Sequence, residues 1–132
     1  MSNKTGGCGC GEINYTVSAD VISVINCHCN MCRDHNGAAF TSYVIVPLGS
    51  FEVTNGYKYL SSYKKDNATK HFCKICGTPL FNEHDKYEQI RLIYLGSFEE
   101  EKELIPRVNV WCEDKLNWIS DVNNLKSIEH GS

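Results

Sequence analysis

No part of this 132-residue chain holds an apolar run longer than a β-strand. The longest, around Tyr43-Val44-Ile45-Val46, is far short of the roughly 20 residues of a spanning helix, so no helical membrane segment is expected. The first residues, Met1 to Gly7, contain no apolar stretch of the kind a secretory signal needs. The expectation is a protein of a reducing, cytoplasmic compartment, where thiols stay free or bind metal. Clustered positive charge is missing too. The net charge is −3, and the densest basic pair, Lys64-Lys65, is followed at once by Asp66. A nucleic-acid partner, which needs a basic face, is therefore not expected. Proline is scarce at three residues, and there is no internal repeat, low-complexity tract or Pro/Ser linker. A single domain over residues 1–120 is expected, with 121–132 as a loosely held tail.

The rest of the composition is that of an ordinary soluble globular chain, with 42% hydrophobic and 22% charged residues. Strand signals dominate the first hundred residues. Glu12-Ile13-Asn14-Tyr15-Thr16-Val17 alternates polar and apolar, as a half-buried strand does. Further strands are expected over 23–26, 40–46, 69–72, 78–81, 89–94 and 107–111. Asn55-Gly56, flanked by Phe51 to Thr54 and Tyr57 to Leu60, predicts a hairpin. Helix signals are few: one turn from Asn30 to His35 and an acidic turn from Phe98 to Leu104. The fold class is mainly β, with metal-binding knuckles where strands turn.

Cysteine is the residue in excess. Of eight, seven lie in three tight groups: Cys8-Gly9-Cys10, Cys27-His28-Cys29-Asn30-Met31-Cys32 and Cys73-Lys74-Ile75-Cys76. Pairs spaced CxC and CxxC are too close for a good structural disulfide, but two sulfurs from one turn can reach a single ion. Seven divides into four plus three. Four thiolates close a structural zinc site, whereas three leave a position open for water or substrate. Cys8/Cys10 and Cys73/Cys76, each flanked by glycine, would together make a Cys₄ site, and structural zinc in small domains supplies on the order of ten kcal/mol of folding energy. Cys27, Cys29 and Cys32 can surround one ion from a single short segment. Three thiolates make a weaker Lewis acid than three imidazoles and suit a soft fourth ligand, above all a thiol. Iron–sulfur ligation is the competing assignment and ranks below zinc, because ferredoxin-type runs are missing.

Cys112, after Trp111, is expected to be a small buried hydrophobe. His28, between two ligands, should project away from the metal. His35, His71, His84 and His130 lack ligand spacing and read as surface or supporting residues. Arg33 would hold an acidic thiol, balance an anionic centre, or form a surface ion pair. The aromatics Tyr57, Tyr59, Tyr63 and Trp111 read first as core.

Taken in order, these clusters resemble the family of glutathione-dependent formaldehyde-activating enzymes, which also includes centromere protein V. The similarity begins at Gly6-Gly7-Cys8-Gly9-Cys10-Gly11 with Ile13 and Tyr15. It continues through Cys27 to Arg33, Gly37-Ala38-Ala39-Phe40, Tyr63, and Phe72 to Leu80, and it closes at Asp114-Lys115 and Trp118. The resemblance implies a β-tent fold of antiparallel sheets. It implies a structural zinc on Cys8, Cys10, Cys73 and Cys76, and a catalytic zinc on Cys27, Cys29 and Cys32, two Zn²⁺ per chain. It also implies a carbon–sulfur lyase activity that joins glutathione, or a similar thiol, to formaldehyde or a related aldehyde. One departure stands out: Asn109 occupies a place where the family often has His. The rival expectation is a protein-binding module in which zinc only builds the fold. The two differ in metal content, since only the enzyme needs a second, exchangeable ion, and that ion should leave first under mild chelation.

Overall fold

The computed structural model describes residues 3–100 and 102–131. Met1, Ser2, Glu101 and Ser132 lie outside the described residues, and with them the start of the expected domain, one residue of the expected acidic turn and the end of the expected tail. The strands are β1 (Lys4–Gly7), β2 (Asn14–Val17), β3 (Ser23–Cys27), β4 (Thr41–Pro47), β5 (Phe51–Asn55), β6 (Leu60–Lys65), β7 (Ala68–Cys73), β8 (Pro79–His84), β9 (Ile90–Tyr94) and β10 (Val108–Val110). The α-helix α1 spans Asn30–Asn36, matching the turn expected there. Among the described residues the strands form two sheets, a three-stranded one ordered β1-β2-β5 and a seven-stranded one ordered β10-β3-β4-β9-β8-β7-β6. The fold is mainly β, as expected.

The alternation in the β2 region works as the pattern requires. Ile13, Tyr15 and Val17 are buried and meet Val24, Val44, Val46, Leu80, Phe81 and Ile93 of the larger sheet in the main core. The Tyr15 hydroxyl is satisfied by Ser97 Oγ at 2.6 Å, as a buried phenol requires. Strand β1 was not anticipated, because its sequence Lys-Thr-Gly-Gly has low strand propensity. Packing explains it: a Cβ at Gly6 would lie 2.3 Å from Tyr15 Oη, so only glycine lets β1 close against that ring.

Two expectations need correction. The hairpin at Asn55-Gly56 does not form. Strand β5 pairs with β2, Tyr57–Tyr59 makes a 3₁₀ turn, and β6 pairs with β7. Gly56 has φ +74°, and a Cβ there would lie 1.9 Å from the Glu12 carbonyl oxygen. The glycine lets the chain cross from one sheet to the other beneath Glu12, rather than return along itself. The tight two-residue hairpin is instead at Asp66-Asn67, where Asp66 takes φ 55°. Secondly, the sheets are not wholly antiparallel, for β10 runs parallel to β3. The acidic segment after Phe98 turns at Lys102-Glu103, as expected. Phe98 itself is buried and bridges to Gly6.

A smaller core cluster sits apart from the main one. It contains Cys27, Cys32, Tyr43 and Tyr94, with Ile25, Cys29, Leu92 and Val110 against it. A 3₁₀ segment, Asn117–Asn124, crosses the expected boundary at residue 120. No described helix is long and apolar enough to cross a membrane.

Candidate metal centres

The first centre joins the start of the chain to its middle. The sulfurs of Cys8, Cys10, Cys73 and Cys76 all lie within 4.8 Å of one another. Cys8 follows β1, and its turn is closed by Cys8 N–H donating to Ile13 O at 3.1 Å and Gly11 N–H donating to Cys8 O at 3.1 Å. The second turn is built where β7 ends. Gly77 N–H donates to Cys73 O at 2.8 Å, and Cys73 N–H donates to Thr78 O at 3.0 Å. Gly77 takes φ +80°, a region closed to most side chains. Thr78 links the two turns. Its hydroxyl accepts from Gly9 N–H at 2.9 Å and lies 3.1 Å from Cys76 Sγ. Nothing in a lone threonine after a CxxCG motif signals that role.

The second centre is local. Strand β3 delivers Cys27, and Cys29 caps α1 by accepting from Cys32 N–H at 3.2 Å. The helix then returns Cys32 beside Cys27, with Sγ to Sγ 3.4 Å. All three sulfurs lie within 4.8 Å of one another, and no His, Asp or Glu among the described residues joins the set. Cys27 and Cys32 are buried, and Cys29 is half-buried.

The thiols share negative charge unevenly. Cys27 is drawn down to about 6, first by the hydrogen bond from the Cys32 thiol and against burial. The same pairing, with burial, pushes Cys32 well up, and burial raises Cys29. At the four-sulfur centre, hydrogen bonds from Thr78 bring Cys76 down to about 5. Cys8 is also lowered: burial alone would raise it, but the Ile13 N–H and neighbouring thiols outweigh that. The Glu12 N–H draws Cys10 down, yet desolvation and the sulfurs of Cys8, Cys76 and Cys73 carry it up to about 12. Each cluster thus holds fewer thiolates than sulfurs. A divalent cation removes that competition and deprotonates coordinating thiols outright.

Around the three-sulfur centre the structure adds residues that sequence reasoning had placed differently or missed. His28 points away from the sulfurs, as expected. It is buried, its Nε2 donates to Asn109 Oδ1 at 3.0 Å, and its ring lies against Phe40. Asn109 therefore has a definite partner, on the strand paired beside Cys27. Among the described residues Arg33 forms no ion pair. Its Nη1 donates to the carbonyls of His28 and Asp114, and its Nη2 to Asn30 Oδ1. It ties the ligand loop to the segment after β10. Tyr43, read only as a strand aromatic, places its hydroxyl 3.3 Å from Cys32 Sγ. Asn82 and Tyr94 continue from it. A buried tyrosine on a strand gives no sequence sign of whether it packs or serves a site.

Cys112 is exposed, not a buried hydrophobe. It follows Trp111, which at φ 58° ends β10 in a left-handed turn, leaving the thiol no interior to enter. Trp111, Tyr57 and Tyr63 are likewise exposed rather than core, whereas Tyr59 packs partly against the main cluster. His71 stacks on Phe81 and meets Glu83 at 3.1 Å, and His35 lies edge-on to Tyr63. His84 lies beside Tyr87, and His130 is exposed. None of these four joins a metal set.

Among the hollows formed by the described residues are two that open on the surface. One, of about 610 Å³, is bounded by Asn30, Met31, Arg33 and Asp34 of α1 and by Lys65 and Asp66 of the β6–β7 turn. It begins at the residue after Cys29. The other, of about 330 Å³, lies between residues 19–24 and 103–107 and has no clustered cysteine in its wall.

The fold has a counterpart among solved structures. A crystal structure of a Rhodobacter sphaeroides protein from a structural-genomics effort superposes with a TM-score of 0.66 at 18% identity, covering 80% of this chain and 99% of that one. At that identity the likeness concerns the fold alone. The family profile described as glutathione-dependent formaldehyde-activating enzyme matches residues 3–114, a stretch that contains both cysteine centres. The chain belongs to the glutathione-dependent formaldehyde-activating enzyme family.

Proposed function

We propose that this protein is a zinc enzyme of thiol chemistry, a carbon–sulfur lyase that forms or cleaves the adduct of glutathione, or a similar thiol, with formaldehyde or a related aldehyde. The observation that carries the reading is the convergence of just three sulfurs, from Cys27, Cys29 and Cys32, in a chain of this family. Zinc fits the donor set. Zn–S bonds of about 2.3 Å put tetrahedral sulfurs about 3.8 Å apart, and neighbouring sulfurs here lie 3.4 to 3.8 Å apart.

Cys8, Cys10, Cys73 and Cys76 would hold a closed, structural ion, and Cys27, Cys29 and Cys32 a catalytic one. Bound by three thiolates with its fourth position open, zinc would supply a soft Lewis acid that deprotonates an incoming thiol near neutral pH. The rest falls to the chain. Burial of Cys27 and Cys32 keeps water from the sulfur side of the site. Arg33 and the His28–Asn109 pair hold the ligand loop in place. The hollow beside α1 carries Lys65 together with Asp34 and Asp66, a mixed charge that suits a zwitterionic thiol. In the addition, a C–S bond forms to the aldehyde carbon, the carbonyl π pair moves to oxygen, and the thiol proton ends on that oxygen. The metal-binding unit would extend to about residue 120, with the following segment as an appendage. Free thiolates of this kind imply a reducing compartment such as the cytoplasm.

Metal analysis with a glutathione titration tests the reading. Two zinc equivalents, heat of glutathione binding that disappears in Cys29→Ser, and adduct exchange faster than the uncatalysed rate are expected. One equivalent of metal, with no binding of any of several thiols, would reduce the protein to a zinc-stabilised binding module.

A further inference from the structure

Two sulfurs of the three-sulfur centre have a hydrogen-bond partner that is not a thiol. Cys29 receives the backbone N–H of Cys32 at 3.2 Å. Cys32 has the hydroxyl of Tyr43 at 3.3 Å. The first donor is backbone and comes with the turn, whatever the side chains. The second is a side chain, and it is buried along with its sulfur: Tyr43 is 2% exposed and Cys32 6%.

The direction of that bond follows from the chemistry of its neighbours. Tyr94 Oη donates to Asn82 Oδ1 at 3.0 Å, and Asn82 Nδ2 donates to Tyr43 Oη at 3.2 Å. An amide nitrogen only donates, and a thiolate only accepts. The Tyr43 oxygen is therefore taken by Asn82, and its own hydrogen is left for Cys32 Sγ. The chain Tyr94, Asn82, Tyr43, Cys32 runs one way and ends on sulfur. Its three members before the sulfur, Tyr94, Asn82 and Tyr43, come from three adjacent strands, β9, β8 and β4, so the sheet itself sets the aim. A centre of three thiolates and one divalent ion carries a net −1. Arg33 keeps its positive charge beside the ligand loop but spends its Nη donors on carbonyl oxygens and Asn30 rather than on a sulfur.

We propose that Tyr43 is a positioning residue of this centre: its hydroxyl, oriented by Asn82 and Tyr94, draws charge from Cys32 Sγ and weakens Cys32 as a donor, leaving more of the ion's acceptor strength for an incoming thiol. The inference rests on the metal reading above and concerns how the metal is tuned.

Cobalt substitution tests it, because the sulfur-to-cobalt charge-transfer band reports sulfur electron density directly. Tyr43→Phe removes the hydroxyl but strands Asn82 Nδ2. The double variant Tyr43→Phe with Asn82→Leu removes both partners and avoids that buried loss. Both are expected to shift the band of the second cobalt equivalent to lower energy, with the bands of the first equivalent unchanged. Tyr94→Phe, which only loosens the aim, should give a smaller shift of the same sign. Unchanged bands in both Tyr43 variants would overturn the proposal. A wild-type protein that takes up a single cobalt equivalent would overturn the metal reading, and this inference with it.

Discussion

The amide nitrogen of Gly9 lies 2.9 Å from the hydroxyl oxygen of Thr78, across 69 residues of chain. The same hydroxyl is 3.1 Å from Cys76 Sγ, so one side chain ties both halves of the four-sulfur centre. Thr78→Val keeps the shape and removes both contacts. A loss of about 1 to 2 kcal/mol is expected, read as a lower thermal midpoint of the metal-loaded protein, with Thr78→Ser close to wild type.

The two centres should respond differently to ligand loss. Cys73 is fully buried at the end of β7, and its centre joins elements more than sixty residues apart. The three-sulfur centre is closed within one turn and one short helix. Cys73→Ser should therefore unfold the protein or greatly broaden its amide NMR spectrum. Cys29→Ser should lose one metal equivalent and keep a folded spectrum. In the wild type, a mild chelator should remove that same equivalent first, followed by colorimetric metal release. Simultaneous loss of all metal with unfolding would contradict separate roles.

Burial, and then Lys70 and Lys65, hold His35 below its ordinary 6.5, against the opposing pull of Asp34. Its Nε2 is buried without a hydrogen-bond partner among the described residues. The unfolded chain takes up a proton near pH 6.5, where the folded one still resists it. Stability from this residue is thus complete above about 6.5 and is lost as pH falls towards the lowered folded value. The urea midpoint of wild type minus that of His35→Phe should fall between pH 7.5 and pH 5.5. A difference that stays constant would refute the assignment.

Cys112 is the one thiol outside the clusters, and it is exposed. Metal-loaded protein treated briefly with iodoacetamide should gain one adduct, at Cys112, located by peptide mass spectrometry. Removing metal should open the remaining seven. Adducts at Cys29 before metal removal would mean that its sulfur is not engaged.

The three cysteine clusters were legible because their information is local: CxC, CxxC and CxCxxC spacings bring sulfurs together within a single turn. Strand positions were legible where side chains alternate, as at Ile13, Tyr15 and Val17, since period two follows from the pleat itself. Pairing between strands was not. Asn55-Gly56 has the composition of a hairpin, yet Gly56 serves a close approach to Glu12, a residue 44 positions earlier that no local pattern reveals.

The sequence alone determined the mainly β class, the division of seven thiols into four and three, and the family. These depend on residue type and short spacing. Tertiary structure decided that Thr78 bridges two turns, that Arg33 clamps carbonyls, that Asn109 faces His28, that Cys112 is open to solvent and that Tyr43 points its hydroxyl at Cys32. Apart from the exposure of Cys112, each is a contact between groups brought together by sheet register or chain crossing. A hydrogen bond depends on tenths of an ångström and on direction, and those are set only once the strands have packed.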